Sequence, residues 1–310
     1  MSGGRQAAET THRAGFAALV GRTNVGKSTL LNTLVQQKIA IVSESPQTTR
    51  HRILGVRTMP GAQIAFLDTP GIHKPQHRMN RMMVSAALDS LRQVDLVLFL
   101  VDAAAGIGPG DRHMARILRS ESGMPPVILV LNKVDLVRKP DLLPQIESAS
   151  LSGAYAEIVP VSAREGDNCD RLLDVIVSCL PEGPPLYPPD TLTDQTERRL
   201  VGEIIREKIL ARTRQELPQE TAVVIDRWIE REDGLIEIDA VIYCEKESQK
   251  PIIIGRGGSL LKRIGTEARQ EIEALLSARV MLRPWVKVRE GWREDVAILR
   301  EMGIGGERWE

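Results

Sequence analysis

The sequence predicts a doubly wound α/β domain joined by a proline-rich linker to a smaller α+β domain. Three observations carry that prediction. Apolar runs alternate with helix-spaced segments over residues 16–180; five prolines fall within "PEGPPLYPPDT" (181–191); and the strands beyond alternate apolar and polar residues. A chain of 310 residues, 42% of them apolar, has room for two such cores.

Each element follows from its own pattern. "FAALV" (16–20) runs straight into a glycine loop, which opens a helix. "GVRTM" (55–59) and "QIAFLD" (63–68) form a strand pair around the turn at Pro60–Gly61. "VDLVLFLVD" (94–102) and "PPVILVLNK" (125–133) are continuous apolar runs, as expected of parallel strands covered on both faces. "GDRHMARILRS" (110–120) between them has helical spacing. "EIVPVSA" (157–163) is a short strand and "DRLLDVIVSCL" (170–180) a helix. The prolines at 181–191 suit an interdomain linker. After it come the helix "ERRLVGEIIREKILART" (197–213), the strands "ETAVVIDRWIE" (220–230) and "LIEIDAVIYC" (235–244), a second glycine loop, the helix "EARQEIEALLSA" (267–278) and the strand "VMLRPWVKVR" (280–289). This second sheet is expected to be antiparallel in part and solvated on one face. The expected domain plan is a disordered lead-in over 1–14, a nucleotide-binding domain over 15–180, a linker over 181–196 and a second domain with a tail over 197–310.

Lys+Arg and Asp+Glu each number 41, so the chain is not globally basic, and any nucleic-acid surface must be a local patch. Three cysteines, Cys169, Cys179 and Cys244, make neither a disulfide framework nor a CxxC zinc motif, as in a reducing cytoplasm. The N-terminal stretch has no hydrophobic segment of the signal-peptide kind, and "LVLFLV" (96–101) is too short to cross a bilayer. The expected location is cytoplasmic, with any membrane contact peripheral on the inner face.

"GRTNVGKST" fits G-x-x-x-x-G-K-[ST], directly after a strand and before a helix. Gly21 and Gly26 let the loop curl so that the backbone N–H groups of Asn24, Val25 and their neighbours point at phosphates. Lys27 reaches the β- and γ-phosphates. Ser28 ligates Mg²⁺, with Thr29 beside it. "DTPG" (Asp68, Thr69, Pro70, Gly71) ends the next strand: Asp68 can hold a Mg²⁺-bound water, and the Gly71 N–H can meet the γ-phosphate. Alone it is an ordinary strand-to-turn exit. "NKVD" (Asn132, Lys133, Asp135) closes the following strand. A carboxylate at Asp135 can accept from guanine N1–H and the 2-amino group. Adenine offers neither, so it is rejected by a factor on the order of 10⁴. Ser162 and Ala163 in "VSA" either offer backbone contacts to guanine O6 or simply end a strand. Taken in this order on these elements, the motifs predict GTP and GDP as ligands, with Mg²⁺ as cofactor.

"IIIGRGGSLLKRIG" is neither a second phosphate loop of this kind nor a dinucleotide fingerprint, since Leu260 stands where the third glycine belongs. It matches I-G-x-x-G, the loop with which KH domains clamp about four nucleotides by their backbone. The order helix–strand–strand–GxxG–helix–strand resembles the type II KH arrangement. Ile254, Gly255, Arg256, Gly257, Gly258, Ser259, Lys262 and Arg263 are the candidate RNA-binding residues. Charge is skewed locally: residues 250–269 hold five cations against Glu267, and 279–293 hold five against Glu290. For Lys262 and Arg263 the competing reading is a solvated helix face. Trp285 is either core or a base-stacking platform.

The two halves together resemble the Era family of translation-factor-class GTPases. "QTTRHRI" (47–53) is similar to that family's first switch and "WVKVREGW" (285–292) to its C-terminal strand. The likeness spans roughly residues 15 to 303. It implies that Thr49, or its neighbour Thr48, supplies a second Mg²⁺ hydroxyl. By its residues alone, 43–55 is a polar loop that a γ-phosphate could order. The resemblance also accounts for Ile72, which follows Gly71 where Ras-like enzymes carry a water-orienting glutamine. No catalytic side chain is therefore assigned, and slow hydrolysis is expected. Asn24 is similar to the K⁺-ligating asparagine of related GTPases, although it also suits a left-handed turn; Thr23 stands where many relatives have proline. The family implies a partner, the 3′ end of small-subunit ribosomal RNA in the 30S particle, and peripheral membrane association; a monomer is expected. A GTP-dependent scaffold that recruits protein or membrane without RNA is the competing class. A two-G-domain assembly GTPase is opposed by the single GKS motif, and an RNA-dependent ATPase by NKVD.

Overall fold

The computed structural model describes residues 12–42, 53–68, 91, 93–120, 123–151, 154–213 and 221–301. The first domain is built on a six-stranded sheet in the order β2-β3-β1-β4-β5-β6. Its strands are β1 (Arg13–Gly21), β2 (Ile53–Met59), β3 (Ala62–Asp68), β4 (Leu96–Asp102), β5 (Val127–Asn132) and β6 (Glu157–Pro160). Only the β2–β3 pair is antiparallel, as the turn at Pro60–Gly61 requires. Along β1, Ala17 and Leu19 face one layer and Ala18 and Val20 the other. The first layer is α1 (Lys27–Val35) and α4 (Cys169–Cys179). The second contains α2 (Pro109–Ser120) and α3 (Lys139–Leu151). Burial on both faces explains the unbroken apolar runs of β4 and β5.

β1 begins at Arg13, ahead of the expected "FAALV". The Arg13 guanidinium donates to the Leu180 carbonyl at 2.7 Å, tying the strand to the end of α4. β6 ends at Pro160, so Val161–Ala163 form a loop beyond the sheet. The proline-rich segment runs strapped to the first domain. Leu186 and Tyr187 N–H groups donate to the buried Gln63 side chain. The Val56 N–H donates to the Leu192 carbonyl, and the Thr193 hydroxyl to that of Leu54.

The second domain has a three-stranded sheet, β7 (Thr221–Glu230), β8 (Leu235–Cys244) and β9 (Arg279–Val288), with β7–β8 antiparallel and β8–β9 parallel. α5 (Glu197–Thr213), the short α6 (Lys250–Ile254) and α7 (Ser259–Leu276) cover one face. α7 starts at Ser259 rather than Glu267: the amphipathic segment after the glycine loop is its first two turns. The other face is covered in part by Trp292, Ile298 and Leu299, the last two from α8 (Val296–Glu301), which pack on Ala222. Trp285 points to this second face, not to the helix-covered core. It is half-buried, and its buried indole N–H has no hydrogen-bond partner among the described residues.

Candidate functional site

The P-loop connects the C-terminal end of β1 to α1, where a doubly wound sheet places its ligands. Two glycines there are required by space. Gly26 has φ 96°, and a Cβ on it would stand 2.3 Å from the Asn132 amide nitrogen. Gly21 (φ 152°) would press a Cβ to 2.5 Å from the Leu100 carbonyl. Asn24 adopts a left-handed φ of 64°.

Lys27 is buried, and its ammonium donates to the carbonyls of Gly21 and Arg22 at 3.1 and 2.9 Å. Burial lowers its pKa, and the Asp68 carboxylate opposes that shift. A phosphate would favour the charged form further. The Ser28 hydroxyl donates to an Asp68 carboxylate oxygen at 2.7 Å, so a hydroxyl and a carboxylate stand side by side. Such a hard-oxygen pair beside a lysine fits Mg²⁺ and a polyphosphate.

Asn132, only 2% exposed, links three loops. Its amide donates to the Val25 carbonyl at 2.8 Å, and its carbonyl accepts from the Ala163 N–H at 2.9 Å. Lys133, at φ 67°, turns the chain into a short 3₁₀ turn, Val134–Leu136. Its ammonium meets Asp102 at 2.7 Å. Burial would raise the Asp102 pKa, but that lysine and the N–H groups of Ala105 and Ala104 outweigh it and hold the carboxyl below its usual value. The Ser162 hydroxyl donates to the exposed Asp135 carboxylate at 2.6 Å. Gly21, Asn24–Thr29, Asp68, Asn132, Lys133, Asp135, Ser162 and Ala163 therefore line the ends of β1, β3, β5 and β6. Thr49, Thr69, Pro70, Gly71 and Ile72 lie outside the described residues.

Three supports have no motif of their own. Arg22 Nε donates to the buried Asp111 at 2.7 Å. Thr33 donates to the Ala163 carbonyl at 2.7 Å, joining α1 to the last loop. Asp102 anchors Lys133. The sequence signal for Asp102 is its position at the carboxyl end of an apolar strand; the others offer none.

In the second domain Gly255 (φ 74°), Gly257 (φ 59°) and Gly258 (φ 79°) all have positive φ, the last two in the left-handed helical region. A Cβ on Gly255 would come within 2.6 Å of Leu260 Cβ, whereas Gly257 and Gly258 face open space. Arg256, Gly257, Ser259, Lys262 and Arg263 are exposed, and Ile254 and Gly258 half-buried. Arg263 pairs with Glu267 at 3.1 Å, as does Arg212 at 2.6 Å. Those cations and the hydrogen bonds they donate, Arg212 foremost, hold Glu267 below its usual pKa.

Residues 16–133 match the family of 50S ribosome-binding GTPases, and residues 216–293 the KH domain family. Over 292 residues the chain is 49% identical to GTPase Era of Lacticaseibacillus paracasei, covering 94% of this chain and 97% of that one. The chain belongs to the Era family of GTPases. GTPase Era of Heliobacterium modesticaldum is 48% identical over the same shares. Among solved Era structures, a variant from Aquifex aeolicus bound to GDP·AlF₄⁻ matches with a TM-score of 0.90 at 41% identity, covering 94% of this chain and 99% of that one. Era in complex with MgGDPNP and nucleotides 1506–1542 of 16S ribosomal RNA matches with the same values. The family assignment carries the fold with it: a mostly parallel GTPase sheet followed by a KH domain. Among the described residues of this Era-family chain, no helix is long and apolar enough to cross a membrane.

Proposed function

We propose that the chain is a GTP-controlled clamp for the 3′ end of 16S ribosomal RNA that acts in 30S subunit assembly, in the cytoplasm and as a monomer. The observation that carries this reading is the pair of curled glycine loops, one ending in a buried lysine and the other in exposed cations. The Era complex with 16S ribosomal RNA supports the choice of RNA. The domain plan is a GTPase domain to residue 180, starting at Arg13 where β1 begins rather than at 15, a linker over 181–196 and an RNA-binding domain over 197–310.

In this reading the N–H groups of 24–29 and Lys27 hold the phosphates. Ser28, Asp68 through a water, and Thr49 hold Mg²⁺, which when bound neutralises phosphate charge. The Gly71 N–H senses the γ-phosphate. Asp135, oriented by Ser162, reads guanine, while Asn132 and Ala163 frame the base pocket. With Ile72 unable to orient water, turnover by the isolated protein is slow. Asn24 holds K⁺ near the phosphates, so GTP turnover is faster in K⁺ than in Na⁺ at equal ionic strength; equal rates would remove that role.

The test is filter binding of a 16S 3′-end RNA to the GTP-loaded protein over a salt series. A clamp held by several cation–phosphate contacts loses affinity by orders of magnitude between about 50 and 200 mM salt. Saturable GTP binding without RNA binding would favour the scaffold reading instead.

A further inference from the structure

A second cleft opens between α2 and α3, on the sheet face opposite α1, with a volume of about 470 Å³. That lies within the range of small-ligand pockets, about 300–1,000 Å³. Its floor is apolar: the half-buried Ala115 from α2 and the Tyr155 ring, backed by the fully buried Phe99 and Leu129 of the central strands. The Phe99 and Tyr155 rings sit 6.3 Å apart. Its rim is cationic. Arg112, Arg116 and Arg119 recur along α2 at i, i+4 and i+7, one helix face, and all three line the cleft.

Two of these guanidiniums lack the carboxylate partner that many described arginines have. Arg22, Arg138, Arg206, Arg212 and Arg283 each bind a carboxylate. Neither Arg112 nor Arg116 has a carboxylate partner among the described residues. Among the described residues Arg112 donates to the Ile107 carbonyl, at 2.8 Å. Arg119 donates to the Tyr155 phenol oxygen, whose pKa burial pushes up. The one acid among the described lining residues, Asp111, is fully buried and accepts from Arg22 Nε at 2.7 Å and the Gly108 N–H at 2.8 Å, so its charge is paired with Arg22 rather than with Arg112 or Arg116.

Clustered guanidiniums without counter-charges repel one another and match phosphate oxygens in forked geometry. An apolar floor beneath them adds nothing for a bare ion, but shelters a ring. We infer that the α2–α3 cleft binds an aromatic phosphate monoester, its ring against Ala115 and Tyr155 and its phosphate between Arg112 and Arg116. The site is separate from the P-loop, which stands behind the wall formed by Asp111 and Arg22.

The test is calorimetric titration of the full chain, saturated with Mg·GDP so that the P-loop is filled, with 1-naphthyl phosphate. One saturable site with Kd near or below about 1 mM is expected, at least tenfold tighter than inorganic phosphate or 1-naphthol. Replacing Arg112→Ala and Arg116→Ala together should weaken it at least tenfold while leaving GDP affinity and Tm unchanged, because both side chains are exposed. Ala115→Trp, which fills the floor, should abolish it. The inference is overturned if the ester binds more weakly than about 1 mM, if it is less than tenfold tighter than inorganic phosphate, or if the double variant binds unchanged.

Discussion

At the scale of single residues, one amide holds the nucleotide site in register. Asn132 bridges the Val25 carbonyl and the Ala163 N–H, so loops separated by more than a hundred residues share one side chain. Removing it leaves two buried backbone groups without that partner, and each costs about 1–3 kcal/mol if it stays dry. Asn132→Ala is therefore expected to lower Tm and to weaken GDP binding at least tenfold, read by thermal melts and a fluorescent-GDP titration. Unchanged values in both would show that water replaces the amide at no cost. Gly26→Ala aims a methyl at the same amide. The two substitutions should thus be markedly less than additive when combined. The sequence identifies Asn132 through its motif, but not the carbonyl it meets. A motif lists residue types in order, whereas the Val25 contact depends on how β1 and β5 flank β4. Arg22, Thr33 and Asp111 were illegible for the same reason: their partners are fixed only once the sheet order exists.

At the scale of elements, legibility followed periodicity. The long apolar strands and α5 stand where their patterns place them, because burial on one or both faces leaves a clear period. α3 has no such signal. Pro140 and Pro144 interrupt it, and only Leu142 and Ala149 are buried. Pro140 is tolerated because its first-turn N–H needs no partner. Gly265 masks the true start of α7, since a mid-helix glycine reads as a break. The GxxG loop shows what glycine identity alone conceals. Gly255 is required by its neighbour Leu260, but Gly257 by its backbone angle only. Gly257 is therefore the clean probe of charge. Asp and Asn both tolerate the left-handed conformation, and the space around the position is open. Gly257→Asp should cut RNA affinity by about a hundredfold or more, Gly257→Asn by only a few-fold, and neither should alter GTP affinity. Equal losses in the two variants would mean that shape, not phosphate repulsion, governs the loop.

At the scale of the whole molecule, the two domains meet through a charge cluster. Lys38, from the segment after α1, reaches Glu207 on α5 at 2.8 Å and Glu271 on α7 at 2.5 Å; Lys208 also pairs with Glu271. α7 is the helix that the GxxG loop opens, so Lys38 links the nucleotide domain to the domain that carries that loop. Burial would lower the Lys38 pKa, but the two carboxylates outweigh it and hold it above 10.5. Burial would raise that of Glu271, but Lys208 and Lys38 outweigh it and hold it below 4.5. The signs set the window. A raised lysine pKa contributes stability below its unfolded value, lost as pH climbs through the folded one. A lowered glutamate pKa contributes stability above its unfolded value, lost as pH falls through the folded one. The cluster is thus intact between about pH 5 and pH 10 and should respond to salt rather than to pH in that range. Half-exposed pairs of this kind contribute no more than about 1 kcal/mol to global stability. In the proposed reading their influence on coupling is separate, since two linked ligands change each other's affinity by one reciprocal factor. Lys38→Ala should leave Tm within a few degrees of the parent while the ratio of RNA affinities in the GTP- and GDP-bound forms moves toward one. A ratio that stays at the parental value in the variant, at low and high salt alike, would place the coupling elsewhere in the interface.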